Sequence, residues 1–261
     1  VMQGEAPYTG IFDSHAHYNG ERFDADREAL LASLPSQGVC GVVNAGTNVE
    51  SSRQSAALAR EQEIFYAAAG YHPEQAAEYT DEGMAEIFAL LKEPKTVAIG
   101  EIGLDYYWPE PSREVQQRAF RLQLDAARQL DLPVIIHSRD AAEDTVRILR
   151  EFPGVRGVIH CFTGSAETAR ILVEMGFYIG FTGVLTFQNS RRPVEACKAV
   201  PLDRILLETD CPYMAPVPYR GKRCWSPMIA RTAERAAEIK GIDPQQMIDI
   251  ARENTKRLFG L

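Results

Sequence analysis

Residues 11–17, Ile11-Phe12-Asp13-Ser14-His15-Ala16-His17, are an apolar run that leads directly into two alternate histidines. Side chains of an extended segment alternate between its two faces, so His15 and His17 are expected to point the same way, about 7 Å apart along the chain. Two imidazoles at a strand end suit one metal ion. The stretch therefore predicts a first β-strand that delivers two metal ligands.

The other three histidines, His72, His137 and His160, each follow a further apolar run. Such runs alternate with helical patterns along the chain, which is typical of a parallel sheet. Eight units of this kind in about 250 residues favour a closed α/β barrel over an open sheet. We therefore predict a single (β/α)8 TIM barrel over residues 1–261, with its active site at the carboxyl ends of the strands.

The predicted strands after the first are residues 38–44, 64–69, 96–99, 133–136, 157–159, 177–180 and 205–207. Helices are predicted at residues 24–37, 47–62, 81–92, 113–131, 227–240 and 243–258. Two further helices are predicted, one that follows Asp140 and ends at about Leu149, and one that begins after Ser165. Asn48, Ser165 and Asp243 suit helix N-caps, because their side chains can accept hydrogen bonds from free backbone N–H groups.

Net charge, cysteine content and the lengths of the apolar runs limit the classes of protein to which this chain can belong. A net charge of −8 and a pI near 5.3 argue against coating nucleic acid through overall charge, although a local basic pocket is compatible with them. The five cysteines are odd in number and widely spaced, which fits reduced thiols in a cytosol. Residues 1–10 lack the pattern of a signal peptide, and no apolar run suits a membrane span. We expect a cytoplasmic monomer without an obligate protein partner.

Polar residues converge at the predicted strand ends: the five histidines with Glu101 and Asp210. Taken singly, His137 or His160 reads as a buried structural histidine, Asp210 as a helix cap and Glu101 as a solvated loop residue. Their co-occurrence at equivalent strand ends favours a metal centre, since buried carboxylates require a cation. Zinc, iron, nickel and manganese suit these ligands, as does magnesium with added waters. The ligand count predicts two ions bridged by Glu101, an arrangement that suits hydrolysis.

Phosphate groups bind to cations and to backbone N–H groups at helix starts. Thr163 lies in such a segment, and Arg139 lies beside His137. Lys222 and Arg223 follow the eighth strand, near where this fold often builds phosphate sites, although a basic run is also typical of a solvated surface. Cys161 and Cys211 adjoin candidate ligands but are interpreted as packing residues.

Together, six segments resemble the TatD-type metal-dependent deoxyribonucleases of the amidohydrolase-like superfamily. They are residues 12–17, 70–73, 100–105, 137–139, 160–164, and 207–210 with 216–223. The resemblance implies a first metal held by His15, His17 and Asp210, a second held by His137 and His160, and Glu101 as the bridge. It also implies 3′-to-5′ exonuclease action on DNA, helped by magnesium or manganese, with His72, Arg139 and Thr163 holding phosphate or orienting ligands.

One departure concerns Cys224-Trp225, where many members of that family carry Asn; it bears on substrate preference rather than on the metals. Trp225 is open to two interpretations, stacking on a base or packing in the core.

The resulting hypothesis is hydrolysis by a water activated by two divalent ions, with Glu101 and Asp210 as catalytic residues and Asp210 as the general base. Magnesium, manganese and zinc cannot be separated by ligand type. One alternative keeps the metals but acts on an ester such as mischarged aminoacyl-tRNA. A phosphotriesterase or lactonase is disfavoured, because related barrels often bridge their metals with a modified lysine where Glu101 stands. A metal-binding module without catalysis is the remaining alternative.

Overall fold

Eight parallel strands lie side by side in chain order in the computed structural model, which describes residues 7–261. Their positions agree with the apolar runs, and the strand that carries Glu101 is longer than predicted. The strands are β1 (Ile11–Ala16), β2 (Val39–Ala45), β3 (Phe65–Ala69), β4 (Thr96–Asp105), β5 (Val134–Arg139), β6 (Gly157–Ile159), β7 (Tyr178–Phe181) and β8 (Ile205–Leu207).

The two ends of the sheet meet through backbone hydrogen bonds just beyond β8. The N–H of Asp210 donates to the carbonyl oxygen of His15 at 2.9 Å, and the N–H of His17 donates to the carbonyl oxygen of Cys211 at 2.9 Å. These bonds bring the segment after β8 against the end of β1 and nearly close the barrel. The predicted TIM barrel is confirmed, and its closure fixes Asp210 beside the two histidines of β1.

Helices connect the strands on the outside of this barrel. Three predicted N-caps are present, since Asn48 accepts from the N–H of Ser51, Ser165 from that of Thr168, and Asp243 from that of Gln245. Within residues 7–261 the α-helices are α1 (Arg27–Ser33), α2 (Val49–Glu61), α3 (Asp81–Leu90), α4 (Arg113–Leu130), α5 (Ala142–Arg150), α6 (Ala166–Glu174), α7 (Arg191–Ala199), α8 (Ile229–Lys240) and α9 (Pro244–Phe259).

Two helices differ from the sequence prediction. The helix predicted at residues 24–37 is reduced to α1, with 3₁₀ turns at Glu21–Phe23 and Pro35–Gln37 on either side. Pro35 explains the early end, because proline has no N–H to donate to the carbonyl oxygen of Leu31, which instead accepts from the N–H of Leu34 at 3.2 Å. The helix α7 was not predicted.

One buried cluster takes a residue from each of the eight strands, together with Leu258 and Phe259 of α9. The main hydrophobic cluster takes its strand residues from the opposite face and packs them against the helices, which assigns this second cluster to the inside of the barrel. Strand side chains repeat on one face every second residue, so His137, His160 and Glu208 follow cluster members onto the same inner face. The polar residues at the strand ends therefore lie next to a layer of packed apolar side chains inside the barrel: Phe12, Val43, Ala45, Ala68, Val97, Ala98, Ile135, Val158, Tyr178 and Leu206.

The structure tests some of the expectations about the whole chain and leaves others as predictions. The five cysteines are unpaired, and no helix within residues 7–261 is long and apolar enough to cross a membrane. The expectation that residues 1–10 contain no signal peptide falls partly on residues 1–6, which lie outside the described part. A single domain, a monomeric state and a cytoplasmic location stay predictions.

Candidate metal centre

The first group of donor atoms comes from the two joined ends of the barrel. The Nε2 atoms of His15 and His17 lie 2.9 Å apart. They lie 3.5 and 3.4 Å from Oδ1 of Asp210. Backbone geometry supports this placement, because Asp210 has a left-handed φ of 58° and its N–H is bonded to the carbonyl oxygen of His15 in β1. Donor atoms of the three residues all lie within 4.8 Å of one another, close enough to surround one ion.

The second group lies at the ends of β5 and β6. Nδ1 of His137 and Nε2 of His160 are 3.3 Å apart. They approach Oε1 of Glu101 to 2.9 and 2.7 Å. Nε2 of His72, from the loop after β3, lies 3.4 Å from the same oxygen. Three imidazoles therefore surround one oxygen of a single carboxylate.

Glu101 connects the two groups. Its Oε2 lies 3.2 Å from Nε2 of His15 and 3.3 Å from Nε2 of His17, while Oε1 faces the second group. The side chain is 4 % exposed, so solvent screens these contacts little. All six predicted ligands thus meet around one buried carboxylate, whose two oxygens point in different directions.

The charges of the centre favour a cation. Burial opposes ionisation of Glu101, but positive charge on the surrounding imidazoles, that of His160 first, outweighs it and holds the pKa of this carboxyl well below its ordinary range. Burial alone would lower the pKa of His17, yet its contacts with Asp210 and Glu101 raise it to about 10. Positive charge between the two carboxylates is therefore stabilised. A divalent cation bound by neutral imidazoles supplies that charge, so the residues fit a metal site in both charge and donor type.

Hydrogen bonds on the outer ring nitrogens set which atoms of two histidines face the centre. Nδ1 of His17 lies 2.9 Å from the carbonyl oxygen of Ala45. A carbonyl only accepts, so the neutral ring carries its proton on Nδ1 and presents the Nε2 lone pair to the first group. Nε2 of His137 likewise lies 2.9 Å from Oδ2 of the buried Asp105, which leaves Nδ1 for the second group.

His72 has the opposite arrangement. Its Nδ1 accepts a hydrogen bond from the N–H of Glu74 at 3.1 Å. The neutral ring therefore carries its proton on Nε2, the atom that faces Glu101. This tautomer makes His72 a hydrogen-bond donor at the centre rather than a ligand. It agrees with the predicted part in holding phosphate or orienting ligands, which stays a prediction.

Sequence reasoning assigned no role to Asp105 and Glu208, two carboxylates that support the candidate ligands. Asp105 contacts His137, as described above. Oε1 of Glu208 lies 3.5 Å from Nδ1 of His160 and accepts a hydrogen bond from the N–H of Cys161. The signal was present, since both carboxylates lie at strand ends inside segments that carry the family resemblance.

We expect Glu208→Gln to weaken metal binding by about 10- to 100-fold, because carboxylates behind ligating histidines orient the ring and raise its basicity. Isothermal titration of the metal-free protein with Mn²⁺ measures the affinity. Ser14→Ala is the matched control: its hydroxyl donates to Oε2 of Glu208 at 3.3 Å, and its removal leaves the carboxylate in place. Equal affinities for Glu208→Gln and the wild type would limit Glu208 to a packing role.

Arg139 and Thr163 lie at the mouth of the barrel, at the end of β5 and in the loop after β6, and both are exposed. The guanidinium carbon of Arg139 stacks 3.7 Å from the ring centroid of Tyr107. Their predicted contacts with phosphate stay predictions.

Lys222 and Arg223 line a surface cavity whose lining includes none of the candidate metal ligands. Trp225 also lines this cavity, whose volume is about 460 Å³. The guanidinium of Arg223 donates to both carboxylate oxygens of Asp26, at 2.7 and 2.6 Å, so its charge is paired. The structure thus groups these cations around their own cavity rather than around the metal ligands, and their contact with substrate stays a prediction.

Packing accounts for Cys224 and Trp225, which depart from the family pattern, and for the two cysteines that are next to candidate ligands in the sequence. Trp225 and Cys224 are 9 % and 1 % exposed and belong to the main hydrophobic cluster. This favours the core interpretation of Trp225 over base stacking. Cys211 is fully buried in the same cluster, while the half-buried Cys161 contacts Thr182.

Comparisons with known proteins cover nearly the whole chain. The family described as TatD related DNase matches residues 12–260. A Bacillus subtilis protein named as the uncharacterized metal-dependent hydrolase YabD is 42 % identical, over 95 % of this chain and 98 % of its own. The Cronobacter sakazakii protein named 3′-5′ ssDNA/RNA exonuclease TatD is 36 % identical, over 95 % and 97 %. The crystal structure of the Escherichia coli TatD homologue YjjV gives a TM-score of 0.91 at 30 % identity, covering 97 % and 98 %.

Proposed function

The chain belongs to the TatD-related DNase family of metal-dependent hydrolases, and we propose that it cleaves DNA phosphodiester bonds as a 3′-to-5′ exonuclease. The observation that carries the proposal is the position of Glu101, which turns one oxygen towards His15 and His17 and the other towards His137 and His160. One carboxylate shared between two donor groups supports a centre of two divalent ions, with magnesium, manganese and zinc as the candidates. Such centres suit attack of water on a phosphodiester.

The proposed ligands are His15, His17 and Asp210 for one ion and His137 and His160 for the other, with Glu101 shared. When bound, the ions would lower the pKa of the attacking water and neutralise charge that develops on the phosphate oxygens. The protein residues supply orientation, because Ala45 and Asp105 hold the rings of His17 and His137 in place.

Asp210 is the proposed general base. Its side chain is 14 % exposed, against 4 % for Glu101, so it is the more accessible of the two central carboxylates. Burial opposes its charge, but the hydrogen bond from His17 and the charge of His160 keep its pKa below the ordinary value. Asp210 is therefore ionised at neutral pH and can accept a proton from the attacking water.

The substrate assignment draws on the relative from Cronobacter sakazakii, whose name describes a 3′-5′ exonuclease of single-stranded DNA and RNA. The net charge of −8 disfavours broad coating of nucleic acid. A local contact at the barrel mouth, where Arg139 is exposed, is sufficient for an enzyme that holds one strand end. We propose this mode of binding, with no membrane component.

The test uses single-stranded DNA labelled at its 5′ end, incubated with the protein and Mg²⁺ or Mn²⁺, with and without chelator. We expect a ladder that shortens from the 3′ end and disappears when chelator is present, because the carboxylates and imidazoles of the centre require the ions. A 3′-labelled strand is the matched substrate control, since it should release labelled mononucleotide at once.

Other outcomes separate the alternatives. Intact DNA at high enzyme concentration with every metal would remove the nuclease assignment and direct attention to ester substrates such as aminoacyl-tRNA. Hydrolysis that persists in chelator would contradict the metal centre. Metal binding without hydrolysis of either substrate would leave the non-catalytic module.

A further inference from the structure

Two large aromatic side chains stand exposed in the loop that follows β4. Tyr107 is 53 % exposed and Trp108 is 49 % exposed. Their ring centroids are 4.8 Å apart and the rings are perpendicular. Neighbouring aromatic rings on a surface mark a contact with another molecule more often than isolated apolar residues do. The preceding Tyr106 differs, because its hydroxyl donates to Asp144 at 2.7 Å and its ring packs against the core.

The aromatic pair is tied directly to the proposed active site. The N–H of Tyr107 donates to Oδ1 of Asp105 at 3.0 Å, while Oδ2 of Asp105 holds Nε2 of His137 at 2.9 Å. One buried carboxylate therefore fixes both a proposed metal ligand and the start of the aromatic loop. The loop that carries the rings therefore begins next to the proposed metal centre.

A cation completes the surface. The guanidinium carbon of Arg139 lies 3.7 Å from the ring centroid of Tyr107, a cation–π contact. Arg139 is exposed, so its guanidinium is accessible to a ligand. Exposed aromatic rings next to an arginine are the elements with which proteins hold single-stranded nucleic acid without reading its sequence.

We propose that Tyr107, Trp108 and Arg139 form a base-stacking platform for the nucleotides that flank the scissile bond, a proposal that rests on the proposed nuclease function. The occupant is an unpaired strand, because a base inside a duplex is already stacked on its neighbours and cannot offer its face to a ring. The rings contact bases and Arg139 contacts the adjacent phosphate. The platform gives the enzyme a preference for single strands over duplexes.

Binding tests the platform without hydrolysis. Oligothymidylate is titrated into the protein in chelator, and the tryptophan fluorescence is followed. The chain has two tryptophans, and the other one, Trp225, is buried, so a change on binding reports mainly on Trp108. We expect quenching in the wild type. Trp108→Ala and Tyr107→Ala should each weaken binding, measured by fluorescence anisotropy of a labelled strand, by about 5- to 150-fold.

A substrate series tests the same contact during turnover. A strand with abasic sites beside the scissile bond keeps every phosphate but offers no base to stack. The wild type should show a raised KM on the abasic strand, while this difference should shrink in Trp108→Ala and disappear when Tyr107→Ala is combined with it. Tyr213→Ala is the matched control, since this tyrosine is 55 % exposed in the loop after β8. It should behave like the wild type.

The outcomes separate this proposal from the proposed function. Oligonucleotide binding that depends on Trp108, without any cleavage, would support the platform and remove the nuclease assignment. Cleavage at a normal KM in Trp108→Ala and Tyr107→Ala would remove the platform and keep the nuclease. Absence of binding, or an equal loss in Tyr213→Ala, would overturn the platform.

Discussion

Asp210→Asn is expected to lower kcat by about 10³- to 10⁴-fold while the protein remains folded. The amide cannot accept a proton from the attacking water, and it removes a negative charge that faces His15 and His17. Asn tolerates the left-handed backbone as Asp does, so the φ of 58° at this position should persist. Release of nucleotides from single-stranded DNA at saturating substrate measures kcat, and circular dichroism measures folding.

Asp140→Asn is the matched control. Asp140 also has a positive φ, 52°, and is exposed just after β5, at the same mouth of the barrel. The control should keep the wild-type kcat. Near-normal turnover in Asp210→Asn would exclude this carboxylate as the general base. Equal losses in both variants would point instead to the backbone at positions with positive φ.

Much of the fold was predictable because its signal repeats along the chain. Each strand is a short apolar run, and β6 and β8 agree with the predicted residues at both ends. The prediction was incomplete at β4, where Gly100 and Glu101 interrupt the apolar pattern. Pairing with β5, from Ile102 opposite Ile136 to Asp105 opposite Arg139, nevertheless keeps the chain in the sheet. A polar residue buried within a strand breaks the usual pattern, as is common at functional sites.

Gly103 shows why the extension of β4 could not be read from the sequence. Its φ is 136°, and a Cβ atom at this position would lie 2.0 Å from the carbonyl oxygen of His137. The strand therefore passes the backbone of β5 at a distance that only glycine allows. From sequence alone the same glycine is typical of a turn, because the close neighbour that requires it lies 34 positions away in the chain.

Because the carboxyl ends of parallel strands share one edge, the sequence predicted which side chains meet at the site. It did not predict which of their atoms face one another. The proton position on His17 depends on the carbonyl of Ala45, and that on His72 depends on the N–H of Glu74. The ion pairing of the basic loop after β8 was likewise not predictable from the sequence. Its Arg223 pairs with Asp26, a partner that a run of basic residues does not reveal. Short-range patterns give residue types, whereas tautomers and ion pairs depend on contacts distant in sequence.

Glu101→Gln is expected to bind fewer metal ions than the wild type and to lose about 10³-fold in kcat/KM, since bound metal supplies several kcal/mol of charge stabilisation in hydrolysis. A glutamine retains one acceptor oxygen but turns an NH₂ group towards either the pair His15 and His17 or the pair His137 and His160. That donor faces the space where a cation would bind, and the shared negative charge is gone. Metal content per chain, measured by mass spectrometry after dialysis against Mn²⁺, reports the number of ions.

His17→Gln separates a shared ligand from an ordinary one. His17 contributes to one donor group only, so this variant should retain one ion where the wild type holds two, and Glu101→Gln should retain no more than that and bind it more weakly. Glu74→Gln is the inert control, because its carboxylate is exposed and only its backbone N–H contacts His72. Two ions and normal kcat/KM in Glu101→Gln would contradict the bridge. A wild type with a single ion would show that the two groups of donors act as one site, since both face the same carboxylate.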